Sequence, residues 1–310
     1  MPHAEHHSGD RTILVGLIGR GISLSRTPAM HVAEARAQGM VCTNNLLDMD
    51  DAAMADVTLP DLLTRLEAEG YAGVNVTYPF KREVMALLDE LSPAARAVDA
   101  VNTVVFRDGR RFGHNTDMWG FGESFRRGLD GAKTDHALMI GAGGAGGAVA
   151  HALLECGVSR LSISDVDPNR AADLAKQLLQ TTERDVEVNI VRDIPEMVAK
   201  DRPDGVVNAT PMGMAKLPGT AFPVDLLTPE MWVADIVYFP LETELLRGAR
   251  AAGCRVLPGE GMAVFQAVRA FEFFTGSPAD PERMKATFRA FDSEPVATDA
   301  RPSERKREEI

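Results

Sequence analysis

Four glycines, at positions 141, 143, 144 and 146, stand together in the segment ALMI-GAGGAGGAVAHALLECG. The apolar run before them (137–140) reads as a strand and the run after them (144–156) as a helix. A chain turns this tightly from strand to helix only where side chains are missing, because a Cβ would meet the turn or a bound group. The helix start then offers unpaired backbone N–H groups to a phosphate. Asp165 follows 24 positions after Gly141, at the end of the next strand-like run, where a carboxylate can accept hydrogen bonds from a ribose. Such turns also pack helices onto sheets without binding anything. The strand, the helix and the acid together favour a dinucleotide site over a purely structural turn.

The same rhythm continues downstream. Strands are expected at 161–164, 186–191, 205–208, 232–237 and 255–257, with helices at 169–179 and 242–252. Short strands alternating with longer helices predict βαβ units and a parallel sheet. The first half reads as a buried strand (12–18), a helix (28–38), a second helix (59–69), a short strand (73–76) and a helix (81–88). A hairpin-like excursion follows over 101–113, turning at Asp108-Gly109. A last long helix (261–275) is expected to pack back across the first half. A chain of 310 residues exceeds what one core usually serves, so two domains are predicted. The fold class is α/β: a substrate-type domain of residues 12–118 and 262–291, and a doubly wound Rossmann-type domain of residues 119–261. Residues 1–11 and 292–310 read as polar tails.

Composition narrows the function classes. A net charge of −12 argues against nucleic acid as partner, although a local site for a small anion can oppose that field. No run approaches 18 apolar residues, so no membrane span is expected. Cys42, Cys156 and Cys254 are odd in number and far apart, which fits a reducing cytoplasm and shows no metal-ligand spacing. Oligomeric state is left open.

Several polar motifs lie in the first half. In SLSRTPAMH, Thr27 fits a helix N-cap and Pro28 the first helical position, with Ser25 just before them. GVNVTYPFK supplies Asn75, Thr77 and Lys81; AVNTVV supplies Asn102; GHNTDMWGF supplies Asn115 and Asp117. Each alone is ordinary turn chemistry or a solvated charge.

Taken in order, NVTYPFK, AVNT, GHNTD, GAGGAGG, VNATPMGM, DIVYFPLET and GEGMAVFQA make this chain resemble the shikimate dehydrogenase family from about residue 13 to 276. The resemblance implies an enzyme that moves a hydride between a nicotinamide cofactor and a cyclic carboxylic acid. It places Lys81 and Asp117 beside the reacting hydroxyl as a proton-transfer pair, to be treated as one unit. It gives Ser25 and Thr27 the substrate carboxylate, and Thr77, Asn102, Asn115 and Gln266 the ring hydroxyls. Tyr238 would lie near the carboxylate or the nicotinamide. The cofactor would lie against Gly141, Gly143, Gly144, Ala145, Gly146, Asp165, Arg170, Thr210, Pro211, Met212, Val237, Gly259 and Met262, with no metal.

The run from Asp165 through Val166, Asp167 and Asn169 to Arg170 departs from the Asn-Arg-Thr run of NADP-using members and looks most like the NAD-dependent quinate/shikimate dehydrogenase branch. That branch serves breakdown of quinate and shikimate, so oxidation is the expected direction. The alternatives are a biosynthetic NADP-dependent shikimate dehydrogenase, an amino-shikimate dehydrogenase, or a binding protein without catalysis. The intact Lys81 and Asp117 speak against the last.

Overall fold

The computed structural model describes residues 11–293. The first unit begins with β1 (Arg11–Gly19), α1 (Thr27–Ala37), β2 (Met40–Asp48), α2 (Leu59–Ala68) and β3 (Gly73–Val76). It continues through β4 (Glu90–Leu91), α3 (Pro93–Val98), β5 (Thr103–Arg107), β6 (Arg110–His114) and α4 (Thr116–Gly128). Its six-stranded sheet runs β2-β1-β3-β5-β6-β4. The β2-β1-β3 part is parallel, and the β5-β6 hairpin joins β3 antiparallel. Asp108 and Gly109 both take positive φ at the hairpin turn, as the sequence predicts for that dipeptide.

The second unit contains β7 (His136–Ile140), α5 (Gly146–Glu155), β8 (Arg160–Ser164), α6 (Pro168–Thr181) and β9 (Glu187–Ile190). After α7 (Ile194–Lys200) come β10 (Gly205–Asn208), β11 (Trp232–Asp235), α8 (Glu244–Ala251) and β12 (Arg255–Leu257). Its sheet, in the order β12-β11-β10-β7-β8-β9, is parallel throughout. The order reverses beside β7, the place where open α/β sheets bind ligands at their carboxyl ends. Two helices end the described residues, α9 (Glu260–Thr275) and α10 (Pro281–Ser293). Both return to the first unit: Val264, Phe271, Met284 and Phe288 pack in one core with Ile13, Val15 and Met30.

Several elements differ from the sequence reading. Residue Arg26, not Thr27, is the N-cap of α1; its backbone is already helical (φ −88°, ψ −13°) and no side chain caps the helix. The turn that bonds Ser25 N–H to the Ile22 carbonyl carries the chain into helical geometry early, so Thr27 becomes a helical residue. The expected helix at 81–88 is a tighter 3₁₀ turn over Glu83–Leu87. Strand β2 escaped notice because Asn44 and Asn45 interrupt its apolar pattern. Their amides pair with His31 and with the Tyr71 hydroxyl. Helix α4 was hidden by Gly120 and Gly122, since glycine is a poor helix former. Packing demands the first of these: a Cβ at Gly120 would lie 2.7 Å from the backbone nitrogen of Gln266 on α9. Of the predicted tails, Arg11 opens β1 and residues 292–293 end α10. The remainder lies outside the described residues.

Candidate active site

Strand β3 ends at Val76, and the segment from Thr77 to Lys81 turns beneath it: Phe80 N–H bonds the Thr77 carbonyl, and Val101 N–H bonds that of Lys81. Lys81 thereby faces the first turn of α4. Its Nζ lies 2.6 Å from Asp117 Oδ2, with 23% and 11% of the two side chains exposed. Asp117 occupies the first turn of its helix, where a negative charge meets the positive end of the helix dipole.

Asn115 fixes where that helix begins. Its Oδ1 accepts from Met118 N–H at 3.0 Å, and its Nδ2 donates to the Ala100 carbonyl at 2.9 Å. Asn102 is buried alongside. Its Oδ1 accepts from Thr116 N–H at 2.7 Å, and its Nδ2 donates to Thr116 Oγ1 at 2.9 Å. Asn75, which the sequence reading named without assigning a role, donates to Thr103 Oγ1 at 3.2 Å. Its Oδ1 is buried with no partner in the structure.

Helix α9 brings a distant residue to this group. Gln266 Nε2 donates to Thr27 Oγ1 at 3.2 Å and to the Ala263 carbonyl at 3.0 Å. Ser25 and Thr77 are both half-buried. From the second unit, the Tyr238 ring lies tilted against Phe239 and edge-on to Phe288, with ring centroids 5.1 and 5.8 Å apart. Desolvation holds its phenol above the ordinary range, against the pull of the Lys81 charge.

The glycine segment sits at the carboxyl end of β7. Gly141 has φ +104°, and a Cβ there would lie 2.7 Å from the Ala209 carbonyl oxygen. A Cβ on Gly146 would lie 2.4 Å from the Gly141 oxygen, whereas Gly143 and Gly144 face open space within 4 Å. Two glycines are thus needed by the turn itself, and two leave room above the backbone. Ala145 caps α5 without a side-chain bond.

Asp165 Oδ2 accepts from Ala142 N–H at 2.7 Å, and its Oδ1 accepts from Asp167 N–H at 2.8 Å. Val166, at the tip of the same turn, is fully exposed. Arg170 turns toward Asp167, Nε to Oδ2 at 3.7 Å.

At the ends of β10 and β11, sequence reasoning missed a buried network. Asp235 accepts from Asn208 Nδ2 at 2.9 Å, Val237 N–H at 3.0 Å and Thr243 Oγ1 at 2.7 Å. Desolvation raises the Asp235 carboxyl above its usual range, although all three bonds oppose the shift. Thr210 donates to Asn208 Oδ1 at 2.6 Å and accepts from Met212 N–H at 3.0 Å, which shapes the Pro211 turn. Gly259 lies so close to the Val237 segment that a Cβ would stand 2.4 Å from the Ile236 oxygen. Met262, one turn into α9, packs against the core of the second unit. The charges of Lys81 and Asp117 both act on the Tyr238 phenol, so the loop after β11 comes near that pair.

Residues 17–104 match the shikimate dehydrogenase substrate binding domain, and residues 259–287 match the shikimate 5′-dehydrogenase C-terminal domain. The quinate/shikimate dehydrogenase (NAD(+)) of Corynebacterium efficiens is 48% identical over 279 residues, 89% of this chain and 98% of that one. The chain belongs to the shikimate dehydrogenase family. A shikimate dehydrogenase (NADP(+)) of Streptomyces avermitilis is also 48% identical, over 88% of this chain and 94% of that one. Among solved structures, quinate dehydrogenase from Corynebacterium glutamicum in complex with NAD superposes with a TM-score of 0.87 at 47% identity. That match covers 91% of this chain and all of the other. These two relatives of different cofactor type share the same identity with this chain, whereas a shikimate 5-dehydrogenase from Thermus thermophilus solved with NADP(H) and shikimate is 33% identical with a TM-score of 0.78, below the NAD complex.

Proposed function

We propose that this chain oxidises a ring hydroxyl of quinate and shikimate with NAD as hydride acceptor. The observation that carries the reading is the largely buried Lys81–Asp117 pair, 2.6 Å apart, in a chain that also carries a glycine turn with open space above Gly143 and Gly144. Lys81 Nζ, in its neutral amine form, takes the proton of the hydroxyl as the hydride leaves the same carbon for the nicotinamide, and Asp117 aims the amine. Ser25 and Thr27 hold the substrate carboxylate. Gln266 orients the Thr27 hydroxyl and keeps its own Oε1 to accept from a ring hydroxyl. Thr77 and Asn102 serve the ring hydroxyls, Asn102 with the amide hydrogen that Thr116 does not use. Asn115 contributes chiefly by starting α4 and so setting Asp117 two residues on. Tyr238 covers the carboxylate from the second unit.

The glycine turn fits a dinucleotide. Gly143 and Gly144 leave space for a pyrophosphate at the start of α5, flanked by Gly141, Ala145 and Gly146. Thr210, Pro211, Met212, Val237, Gly259 and Met262 line the nicotinamide end. Each Asp165 oxygen retains a lone pair for a ribose hydroxyl. Asp165 and Asp167 oppose a 2′-phosphate, and Arg170 is engaged by Asp167, which supports NAD over NADP. A bound nicotinamide supplies the hydride acceptor. Residues 12–118 with 262–291 are assigned to the substrate domain and 119–261 to the nucleotide domain. Among the described residues no helix is long and apolar enough to cross a membrane, and a cytoplasmic location is proposed.

Reduction of NAD or NADP followed at 340 nm with each acid tests the reading. Activity with shikimate and NADP alone would favour the biosynthetic type, for which the similarity to the Streptomyces protein speaks. No reduction with any pairing would leave a binding protein.

A further inference from the structure

We infer that Arg26 is a positioning residue of this reaction, holding the Ser25–Thr27 segment and the Tyr238 loop in one arrangement over the substrate carboxylate. The inference rests on the proposed dehydrogenase reading. An arginine between two half-buried hydroxyl residues is expected at the surface, yet Arg26 is only 4% exposed. Its guanidinium donates to the Phe288 carbonyl at 2.7 Å. The guanidinium carbon lies 4.1 Å from the ring centre of Phe239 and 4.4 Å from that of Phe288.

These partners come from different parts of the molecule. Phe239 follows Tyr238 in the loop after β11 of the second unit, whereas Phe288 belongs to α10, which packs on the first. The Arg26–Phe239 contact therefore joins the first unit to the second. Tyr238 joins the same cluster, with its ring against Phe239 and Phe288.

Helix α10 is itself anchored at two points. Arg283 forks onto the buried Glu34 of α1 at 2.6 and 2.8 Å. Arg289 forks onto the buried Glu260, at the start of the helix that carries Gln266, at 2.5 and 2.7 Å. Phe288 thus offers Arg26 a fixed seat. A desolvated cation over two rings holds strongly, and a guanidinium stacks and donates at once as an ammonium cannot. Without this cation the carboxylate segment and the Tyr238 loop would no longer be registered to each other. Binding of the acid would weaken, while the proton-transfer pair, Lys81 in the segment after β3 and Asp117 on α4, would be unchanged.

Steady-state kinetics of Arg26→Ala and Phe239→Leu, beside the unmodified protein, test this. For Arg26→Ala, KM for both acids should rise at least about tenfold with kcat within about threefold. NADH binding to the free enzyme should be unchanged, and added guanidinium ion should bring KM back down. Phe239→Leu leaves the bond to the Phe288 carbonyl intact and should raise the same KM in the same direction. An unchanged KM in both variants overturns the inference. So does an equal loss of acid and cofactor binding without response to guanidinium. Unmodified protein that oxidises neither acid would instead remove the reading of the reaction, and this inference with it.

Discussion

The carboxylate of Asp165 holds the backbone N–H of Ala142 at 2.7 Å, so the acid at the end of β8 braces the glycine turn at the end of β7. Its second oxygen holds Asp167 N–H at 2.8 Å. Both oxygens are acceptors here, and an amide has only one. Asp165→Asn should therefore leave one backbone N–H unpaired, at a cost of about 1–3 kcal/mol, and raise KM for NAD about tenfold. A cofactor switch should do better by keeping Asp165 and changing Val166→Arg with Asp167→Thr, since threonine can still cap α6. In the proposed cofactor placement the carboxylates of Asp165 and Asp167 stand against a 2′-phosphate. Two unit charges about 4 Å apart interact by roughly 4 kcal/mol at an effective dielectric of 20, before screening. NAD should be preferred over NADP by at least about tenfold in kcat/KM. Equal use of both would sink the charge argument.

That brace shows where the sequence was readable and where it was not. The glycine turn and Asp165 were visible because backbone geometry allows few residues there. The bond from Asp165 to Ala142 was not, because it depends on how far β8 extends beside β7. Lys81 and Asp117 were named from motifs, but their contact comes from a helix start that Asn115 and Asn102 set together. Arg26 carries no signal of its own in the sequence, since nothing near it reveals Phe239 or Phe288. Long-range burial of polar groups is the part that local patterns do not encode. The Asn208–Asp235–Thr243 network illustrates this: all three residues lie in quoted motifs, yet their mutual bonds follow from the strand order.

Loss of the proton acceptor should spare binding. Lys81→Ala is expected to keep the fold and the affinity for NAD while turnover falls by about 10²–10⁴. A fall of less than tenfold at the optimal pH would end its assignment as the base. Asp117→Ala should lower turnover too, because the amine loses the carboxylate that aims it at 2.6 Å.

Anchoring residues should show the opposite split. The substrate carboxylate does not change during oxidation, so its contacts stabilise ground and transition states alike. Ser25→Ala and Thr27→Ala should raise KM more than they lower kcat. Thr27→Ala also removes the acceptor that holds Gln266 at 3.2 Å, and should be the more damaging of the two. An intact KM with a collapsed kcat would assign these hydroxyls to the chemical step.

A buried histidine sets the last expectation, on stability. His31 lies at 0% exposure between Phe271 and Phe274, with ring centroids 5.9 Å away in both cases. One ring nitrogen faces the Ala267 carbonyl at 3.0 Å, and the other faces Asn44 Nδ2 at 3.0 Å. With the amide donating to Nδ1, Nε2 carries the proton and the ring is neutral. Desolvation lowers its pKa to about 4, only partly offset by the bond to Ala267. In the unfolded chain the same group titrates near about 6.5. Between these values the unfolded state binds a proton that the folded state refuses, so stability rises with pH across that window. The contribution is fully present above about pH 6.5 and is lost as the pH falls toward about 4, by on the order of 3 kcal/mol. Urea unfolding of the unmodified protein at several pH values should follow that slope. Burial lowers His114, His136 and His151 as well, so a residual slope should persist without His31. His31→Gln should be destabilised at neutral pH, and its deficit should shrink as the pH drops. Parallel slopes for the two proteins would show that His31 does not control this dependence.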